Sequence, residues 1–480
     1  MIAAAALGAA CQVQGGPPLQ VLSETSRLRW TDDLPATSPY FDGATVRLAA
    51  ARGETLGVEV ARAPDAPVPV ALVIAGAAVH GFAVDHVTVT ARSTALYGAS
   101  RGPGRYPDRL RPIDGAVPTP RLAYFDVEVP ADAAPGLHRG ELVVGDRRFP
   151  VELEVAPLVL PPLDAAPWVW AYYDAREIAA VAGTTGDDAA TLDAERAYAA
   201  LFRRYGVIAS PELTLESLDA RRPLVTGLRY WPVLLPRDRA GVTAAVAAWI
   251  ARTRDSGAVP FAIPVDEPRT PEAQARVREV SGWVRAAGGG PGRFLYAVTH
   301  GPTPALGDAI DVYIAGAAVR DPSLPRERAW TYNGEPGWAG AMVVDARDRG
   351  TLRSWGWLGY AHAIPLWYVW DALYWHDRHH HRGDHDLLTA PITFDDGEDH
   401  GNLDGVLAYP GPLPSLRLAQ LRRGLTDRLL LAAYAARAGR AAAQALAHDV
   451  TTRWPADEAG WAAAHRALLG DRIYPSNHRK

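Results

Sequence analysis

Two hydrophobic rhythms divide the chain. Between residues 20 and 160 the runs Ala44–Leu48, Val68–Ile74, Val84–Thr90, Tyr124–Val129 and Gly140–Val144 alternate apolar and polar positions, with Pro and Gly between them. A two-residue period broken by turn formers is the pattern of half-buried strands. Gly136-Leu137-His138-Arg139-Gly140 carries the chain out of a turn into such a strand. No helical period appears in this stretch, which predicts a β-sandwich over 20–160. Pro157, Pro161 and Pro162 mark the exit from it.

From Ala166 the rhythm changes to short apolar runs separated by amphipathic segments, the pattern of parallel βα units. Strands are expected at Trp168–Asp174, Val207–Leu213, Arg229–Leu235, Val259–Val265, Arg293–Thr299, Asp311–Ala315, Ala329–Tyr332 and Ala363–Tyr368, with a last one at Gly405–Tyr409. Helices are expected at Asp193–Tyr205, Gly241–Arg254, Pro271–Ala287 and Arg349–Tyr360. About eight units in this length predict a (β/α)8 barrel over 161–435. The Ala-rich helical sequence from Ser415 to Leu469 supplies the last barrel helix and a C-terminal helical extension, assigned to 436–480.

Composition narrows the function classes. A chain of 480 residues exceeds one ordinary core, in keeping with several domains. The net charge of −5 carries no basic domain and argues against a nucleic-acid partner. Lys480 is the only lysine, which excludes a P-loop or Schiff-base lysine within the fold. Cys11 is the only cysteine, so no internal disulfide forms. It follows the small, apolar run Ile2–Ala10, and Leu7-Gly8-Ala9-Ala10-Cys11 resembles a bacterial lipobox. Residues 1–19 are therefore expected to be a signal and tether. The protein would be exported and attached to the cell envelope through lipid on Cys11, its one link to a membrane.

The candidate chemistry lies at Asp266-Glu267-Pro268, directly after the apolar run Val259–Val265. Catalytic groups of barrel enzymes sit where strands give way to loops on the C-terminal face. Adjacent carboxyls can separate their pKa values and leave one protonated near neutrality. Pro268 biases Glu267 toward an extended backbone. The plain alternative is a helix start, since Thr270-Pro271-Glu272 follows. The usual retaining glycosidase places two carboxyls ~5 Å apart on separate strands. An adjacent pair better suits a scheme in which the substrate's 2-acetamido oxygen attacks carbon 1, one carboxylate orients its N–H, and the neighbour protonates the leaving group.

Three further segments complete a pattern: Arg353–Trp357 with Trp367–Trp375, Gly401–Gly411, and Pro414–Asp427. With Pro264–Pro268 they resemble glycoside hydrolase family 123 and its wider group, in the family's order through most of residues 166–435. The resemblance implies a β-sandwich followed by a (β/α)8 barrel. It also implies exo-acting, retaining hydrolysis of a terminal β-linked N-acetylhexosamine, N-acetylgalactosamine in the family, through an oxazoline. Asp266 would then orient the acetamido group and Glu267 would be the general acid/base, with a glycan as partner and no metal or organic cofactor. Thr426 departs from the family, whose members commonly carry an acidic residue there.

Seven of the fifteen tryptophans fall between Trp330 and Trp375. Flat rings suit the C–H faces of sugars, and Tyr332, Trp367, Trp370 and Trp375 are the expected pocket aromatics, with Trp355 and Trp357 as packing. Tyr172, Asp174 and His300 end strands and face the expected rim, and Asn402 and Asp404 lie beside the last strand. The His376–His385 tract and the acidic Asp395–Asp399 segment read as loops, not metal sites, because neither has the ligand spacing of a known frame. Two other functions fit the same features. One is a glycosidase for a sugar without the acetamido group, using Asp174 or Asp371 as nucleophile. The other is a non-catalytic, glycan-binding surface lipoprotein.

Overall fold

The computed structural model describes residues 18–63, 66–184, 189–347, 351–376 and 386–470. Cys11 and most of the histidine tract (377–385) lie outside the described residues. The alternating runs form two five-stranded sheets. One carries Leu19–Ser23, Thr55–Arg62, Leu122–Glu128, Ala78–Val89 and Gly104–Ile113 in that spatial order; the other carries Val46–Arg52, Arg147–Val159, Gly136–Val144, Val68–Ile74 and Val117–Thr119. Inward residues such as Val60, Phe125 and Val127 meet Val70, Leu142 and Leu153 between the sheets. This is the β-sandwich that the two-residue period demands.

Eight parallel strands follow: β1 (Val169–Tyr172), β2 (Ile208–Ser210), β3 (Tyr230–Pro232), β4 (Val259–Ala262), β5 (Leu295–Val298), β6 (Val312–Ile314), β7 (Ala329–Tyr332) and β8 (Trp367–Val369). Their order is β2-β1-β8-β7-β6-β5-β4-β3. The ring closes just beyond β2 and β3, where Leu213 N donates to Pro232 O and Leu234 N to Leu213 O, both at 2.9 Å. Trp170 of β1 meets Phe261 of β4 edge-on at 5.5 Å, and Phe261 meets Trp330 of β7 at 5.1 Å. Contacts between strands that are not sheet neighbours place these rings inside the barrel, as a filled core.

Gly405–Tyr409, expected as a last strand, is not part of the barrel. Ala408–Tyr409 instead forms a small antiparallel pair with Leu413–Pro414. The run is apolar because it is a buried connection, wholly covered by its surroundings. Ser415 then caps the long helix Leu416–Ala438 by accepting from Leu418 N, and helices Arg440–Thr452 and Glu458–Leu469 follow.

The long helix crosses Ser354–Ala361 at two glycines. A Cβ on Gly356 would lie 1.7 Å from the Gly424 carbonyl oxygen, and one on Gly424 would lie 2.4 Å from that of Arg353. Backbone meets backbone there, and neither side can yield as a side chain would. Gly356→Ala is expected to cost about 3 kcal/mol of stability by urea unfolding; a loss within error of zero would show that the helices can part.

Candidate active site

β4 delivers the chain through Ile263-Pro264-Val265 to Asp266 and Glu267 at its C-terminal end. The helix Pro271–Ala286 is capped by Thr270, whose hydroxyl accepts from Ala273 N at 3.2 Å. The carboxylate pair is therefore not the helix cap. Glu267 is not extended as Pro268 suggested: its φ is +37°, in the left-handed region. The cause is a tight turn, with Arg269 N donating to Glu267 O at 2.7 Å around Pro268, while Glu267 N donates to Thr299 Oγ1 at 2.9 Å. Such backbone strain on a non-glycine residue persists where surrounding contacts enforce it, and it clusters at functional sites.

Thr299, at the end of β5, ties the pair together. Besides accepting from Glu267 N, its hydroxyl donates to Asp266 Oδ1. Glu267 accepts from Tyr332 Oη through Oε1 at 2.9 Å and pairs with Arg269 through Oε2. Burial, then the Glu267 charge, push the Tyr332 phenol above its ordinary range, which keeps it a hydrogen-bond donor. Tyr332 stacks on Tyr368 (6.3 Å, 24°), and Tyr368 on Trp170 (4.7 Å, 14°). Three rings from β7, β8 and β1 thus line up beneath the carboxylates.

Glu212, two residues past the end of β2, joins the cluster from another side. Burial and the charge of Asp266 push its carboxyl up to about 7. It opens on a cleft of about 390 Å³ between the β3 and β4 loops, lined also by Leu234, Leu235, Arg237, Ile263 and Arg276. The aromatic stack, Thr299 and Glu212 complete what the sequence placed at Asp266 and Glu267.

The other expected site residues divide. Tyr172 lies two residues beyond Trp170 on the same face of β1, with ring centroids 6.3 Å apart. It therefore belongs to the aromatic floor. His300 lies beside Thr299, but its ring nitrogen Nδ1 bonds the adjacent Gly301 carbonyl at 2.7 Å. Asp174 caps the helix Ala175–Ala182 and pairs with Arg176. Asp371 is fully buried and accepts from Leu373 N at 2.8 Å.

Trp367 and Trp375 are not pocket residues. Trp367 is one position out of phase with Tyr368, points away from the barrel axis and stacks on Trp355 at 4.8 Å. Trp375 is buried, its indole donating to Ala408 O at 2.8 Å. Asn402 is also out of the pocket: it is fully buried, and its amide nitrogen donates to Ala91 O and Ser93 Oγ of the sandwich, at 2.9 and 3.1 Å. Asp404 accepts from Tyr97 Oη at 2.9 Å and from the half-buried Trp370 indole at 3.3 Å, at the same seam between sandwich and barrel.

In the acidic segment, Asp395 and Asp396 accept from Gly397, Glu398 and Asp399 N–H groups of their own turn. His376 Nδ1 meets Glu177 Oε2 at 2.6 Å. Among the described residues no cluster of three or more His, Cys, Asp or Glu could hold a metal ion, and no helix is long and apolar enough to cross a membrane.

No family model matches the chain, and no curated protein does. Among solved structures, a family 123 glycoside hydrolase from Clostridium perfringens, studied for glycolipid glycan hydrolysis, aligns over 91 % of this chain and 92 % of its own at 12 % identity, with a TM-score of 0.61. A family 2 glycosyl hydrolase from Bacteroides cellulosilyticus (12 % identity, 79 % of this chain and 48 % of its own, TM-score 0.28) is far less similar. So is an FMN-binding β-glucuronidase from Facaelibacterium prausnitzii (12 % identity, 83 % and 60 %, TM-score 0.28). The chain has the fold of a family 123 glycoside hydrolase, a β-sandwich joined to a (β/α)8 barrel.

Proposed function

We propose that the protein is an exo-acting, retaining glycoside hydrolase that removes a terminal β-linked N-acetylhexosamine, N-acetylgalactosamine first among them, with the help of the substrate's acetamido group. The observation that carries this reading is the adjacent pair at the barrel mouth, with each carboxyl held by different partners. Asp266, fixed by the Thr299 hydroxyl, accepts the acetamido N–H and turns the acetamido oxygen toward carbon 1. Glu267, fixed by Tyr332 and Arg269, gives its proton to the glycosidic oxygen as the C–O bond breaks. The acetamido oxygen closes an oxazolinium ring on the opposite face. Water then attacks carbon 1 and loses its proton to Glu267, so that two inversions give net retention. Tyr332, at the outer end of the aromatic stack, offers its flat ring to the sugar's C–H groups.

The glycan of a glycolipid is a substrate of matching chemistry, since the family 123 neighbour acts on one. Export, with a lipid on Cys11, belongs to the same reading and would bring the enzyme to such glycans outside the cell. The alternative nucleophiles of a non-acetamido mechanism, Asp174 and Asp371, are engaged with Arg176 and with Leu373 N, which favours acetamido assistance.

The test sets p-nitrophenyl β-N-acetylgalactosaminide, β-N-acetylglucosaminide and β-galactoside side by side. The acetamido sugars should turn over and the galactoside should not. A thiazoline analogue of N-acetylgalactosamine, mimicking the oxazolinium, should bind on the order of 100-fold or more tighter than substrate. Indifference to the thiazoline together with turnover of the galactoside would refute the mechanism.

A further inference from the structure

Most acids at this end of the barrel have partners. Asp266 has Thr299, Glu267 has Tyr332 and Arg269, Asp174 has Arg176, Glu177 has His376, and Asp371 has Leu373 N. Glu212 is the exception. Among the described residues nothing donates to its carboxyl and no cation pairs with it; what acts on it is burial and the charge of Asp266. Glu212 is half-buried, and a carboxyl that no group of the fold satisfies is left for solvent or a ligand to bond. The carboxyl also faces open space, the 390 Å³ cleft between the β3 and β4 loops, and it lies close enough to the stacked Tyr368 for its charge to be felt there.

We propose that Glu212 is a further substrate-contacting residue of this centre, whose carboxyl hydrogen-bonds a hydroxyl of the sugar held between Asp266 and the β3–β4 cleft. The inference rests on the sugar-binding reading of the mouth. A neutral carboxylic acid suits the task, because it donates one hydrogen bond and accepts others. It also places no second negative charge beside Asp266. The groups facing it are Asp266 from the β4 loop, Tyr368 from β8, and Arg237 and Arg276 across the cleft. With burial and Asp266 holding its proton up to about pH 7, the donor is present below that pH and lost above it. No proton leaves Glu212 during the reaction, and the proton passed to the leaving group still comes from Glu267.

The experiment uses the full chain and p-nitrophenyl β-N-acetylgalactosaminide. Glu212→Ala should raise KM at least tenfold while kcat changes less than threefold. Glu212→Gln, which keeps a donor at every pH, should stay within threefold of the wild-type KM at pH 6. It should also lack the rise in KM that the wild type shows above pH 7. Folding is followed through Tm. A carboxyl whose folded-state pKa is raised takes stability away as pH rises, so Glu212→Gln should match the wild type at pH 4 and melt higher than it at pH 8. A KM unchanged in Glu212→Ala, together with a pH dependence of KM in Glu212→Gln that matches the wild type, would overturn the proposal. So would a glycosyl group trapped on Glu212 by a 2-deoxy-2-fluoro glycoside, which would make Glu212 a nucleophile.

If the wild type hydrolyses nothing but binds N-acetylgalactosamine by calorimetry, the hydrolase reading fails while this one stands or falls on its own. Tenfold weaker binding by Glu212→Ala supports it, and equal binding refutes it. Wild-type protein that neither hydrolyses nor binds any of these sugars overturns both.

Discussion

Glu267→Gln should lower kcat/KM on an oligosaccharide or alkyl β-N-acetylhexosaminide by about 10²–10⁴, the usual contribution of a placed proton donor. On a dinitrophenyl glycoside the loss should be less than about tenfold, because that leaving group departs without a proton. kcat/KM is the parameter to compare, since it reports the step in which the glycosidic bond breaks. Asp266→Asn should behave differently. Its carboxylate stabilises charge that develops on the acetamido group whatever the leaving group, so the loss should be about 10²–10³ on every substrate. The Thr299 hydroxyl, which bridges Asp266 Oδ1 and Glu267 N, ties the Asp266 carboxyl to the Glu267 backbone. A leaving-group series measured on the two mutants settles the roles. Identical losses across the series would refute the division of labour.

The second large effect concerns stability. Asp427 is fully buried and accepts from Arg353 Nε at 2.6 Å, Arg423 Nη2 at 2.8 Å and Trp357 Nε1 at 2.8 Å. Arg423 continues to Glu54 of the sandwich, which also meets His465 of the last helix at 2.9 Å. Asp427→Ala would leave two buried guanidinium groups short of their counter-charge, at a cost of about 3–5 kcal/mol. Urea unfolding at pH 7 should show it; a cost below about 1 kcal/mol would mean that water or a rearranged arginine compensates.

The pH dependence has a definite sign. Arg353 and Arg423 outweigh burial and hold the Asp427 carboxyl well below its ordinary range; His465 and Arg423 hold Glu54 down to about 2. A depressed folded-state pKa contributes stability that is present above the unfolded value and lost as pH falls toward the folded one. The gap between wild type and Asp427→Ala should therefore narrow below pH 4.

The barrel was legible because its strands and helices differ in period, and the eight observed strands fall inside or within a residue of the expected runs. Expectation and structure part where parity or burial decides the matter. Trp367 and Tyr368 are neighbours, and a single position sends one to the outer helices and the other into the mouth. Gly405–Tyr409 is apolar enough for a strand, but it owes that to being covered on all sides. Glu212 carries no local signal: Pro211-Glu212-Leu213 is ordinary sequence, and its neighbour Asp266 is brought to it by the closure of β2 against β3. Thr299 and His300 both stand at the end of β5, and nothing local in the sequence says which side chain turns toward Asp266.

The segment Pro414–Asp427, among the most telling in the sequence, proves to be architecture. Arg417 reaches Asp108 (3.0 and 2.9 Å), Arg422 reaches Asp126 (2.9 Å) and Tyr124 (3.0 Å), and Arg423 reaches Glu54. All four partners belong to the sandwich. Thr426 bonds its hydroxyl to Arg422 O at 3.0 Å within the helix.

That arrangement bears on how such a protein can change over evolutionary time. Many secreted enzymes carry β-sandwich appendages on flexible tethers, and these can be gained, lost or exchanged without disturbing the catalytic unit. Here three arginines of the last barrel helix each reach a carboxylate of the sandwich, in places no solvent reaches. Replacing the sandwich with a foreign one would strand those charges, so a shuffled gene would have to bring Glu54, Asp108 and Asp126 with it. The two halves are bound to be inherited together, and the sandwich counts as part of the barrel's own scaffold.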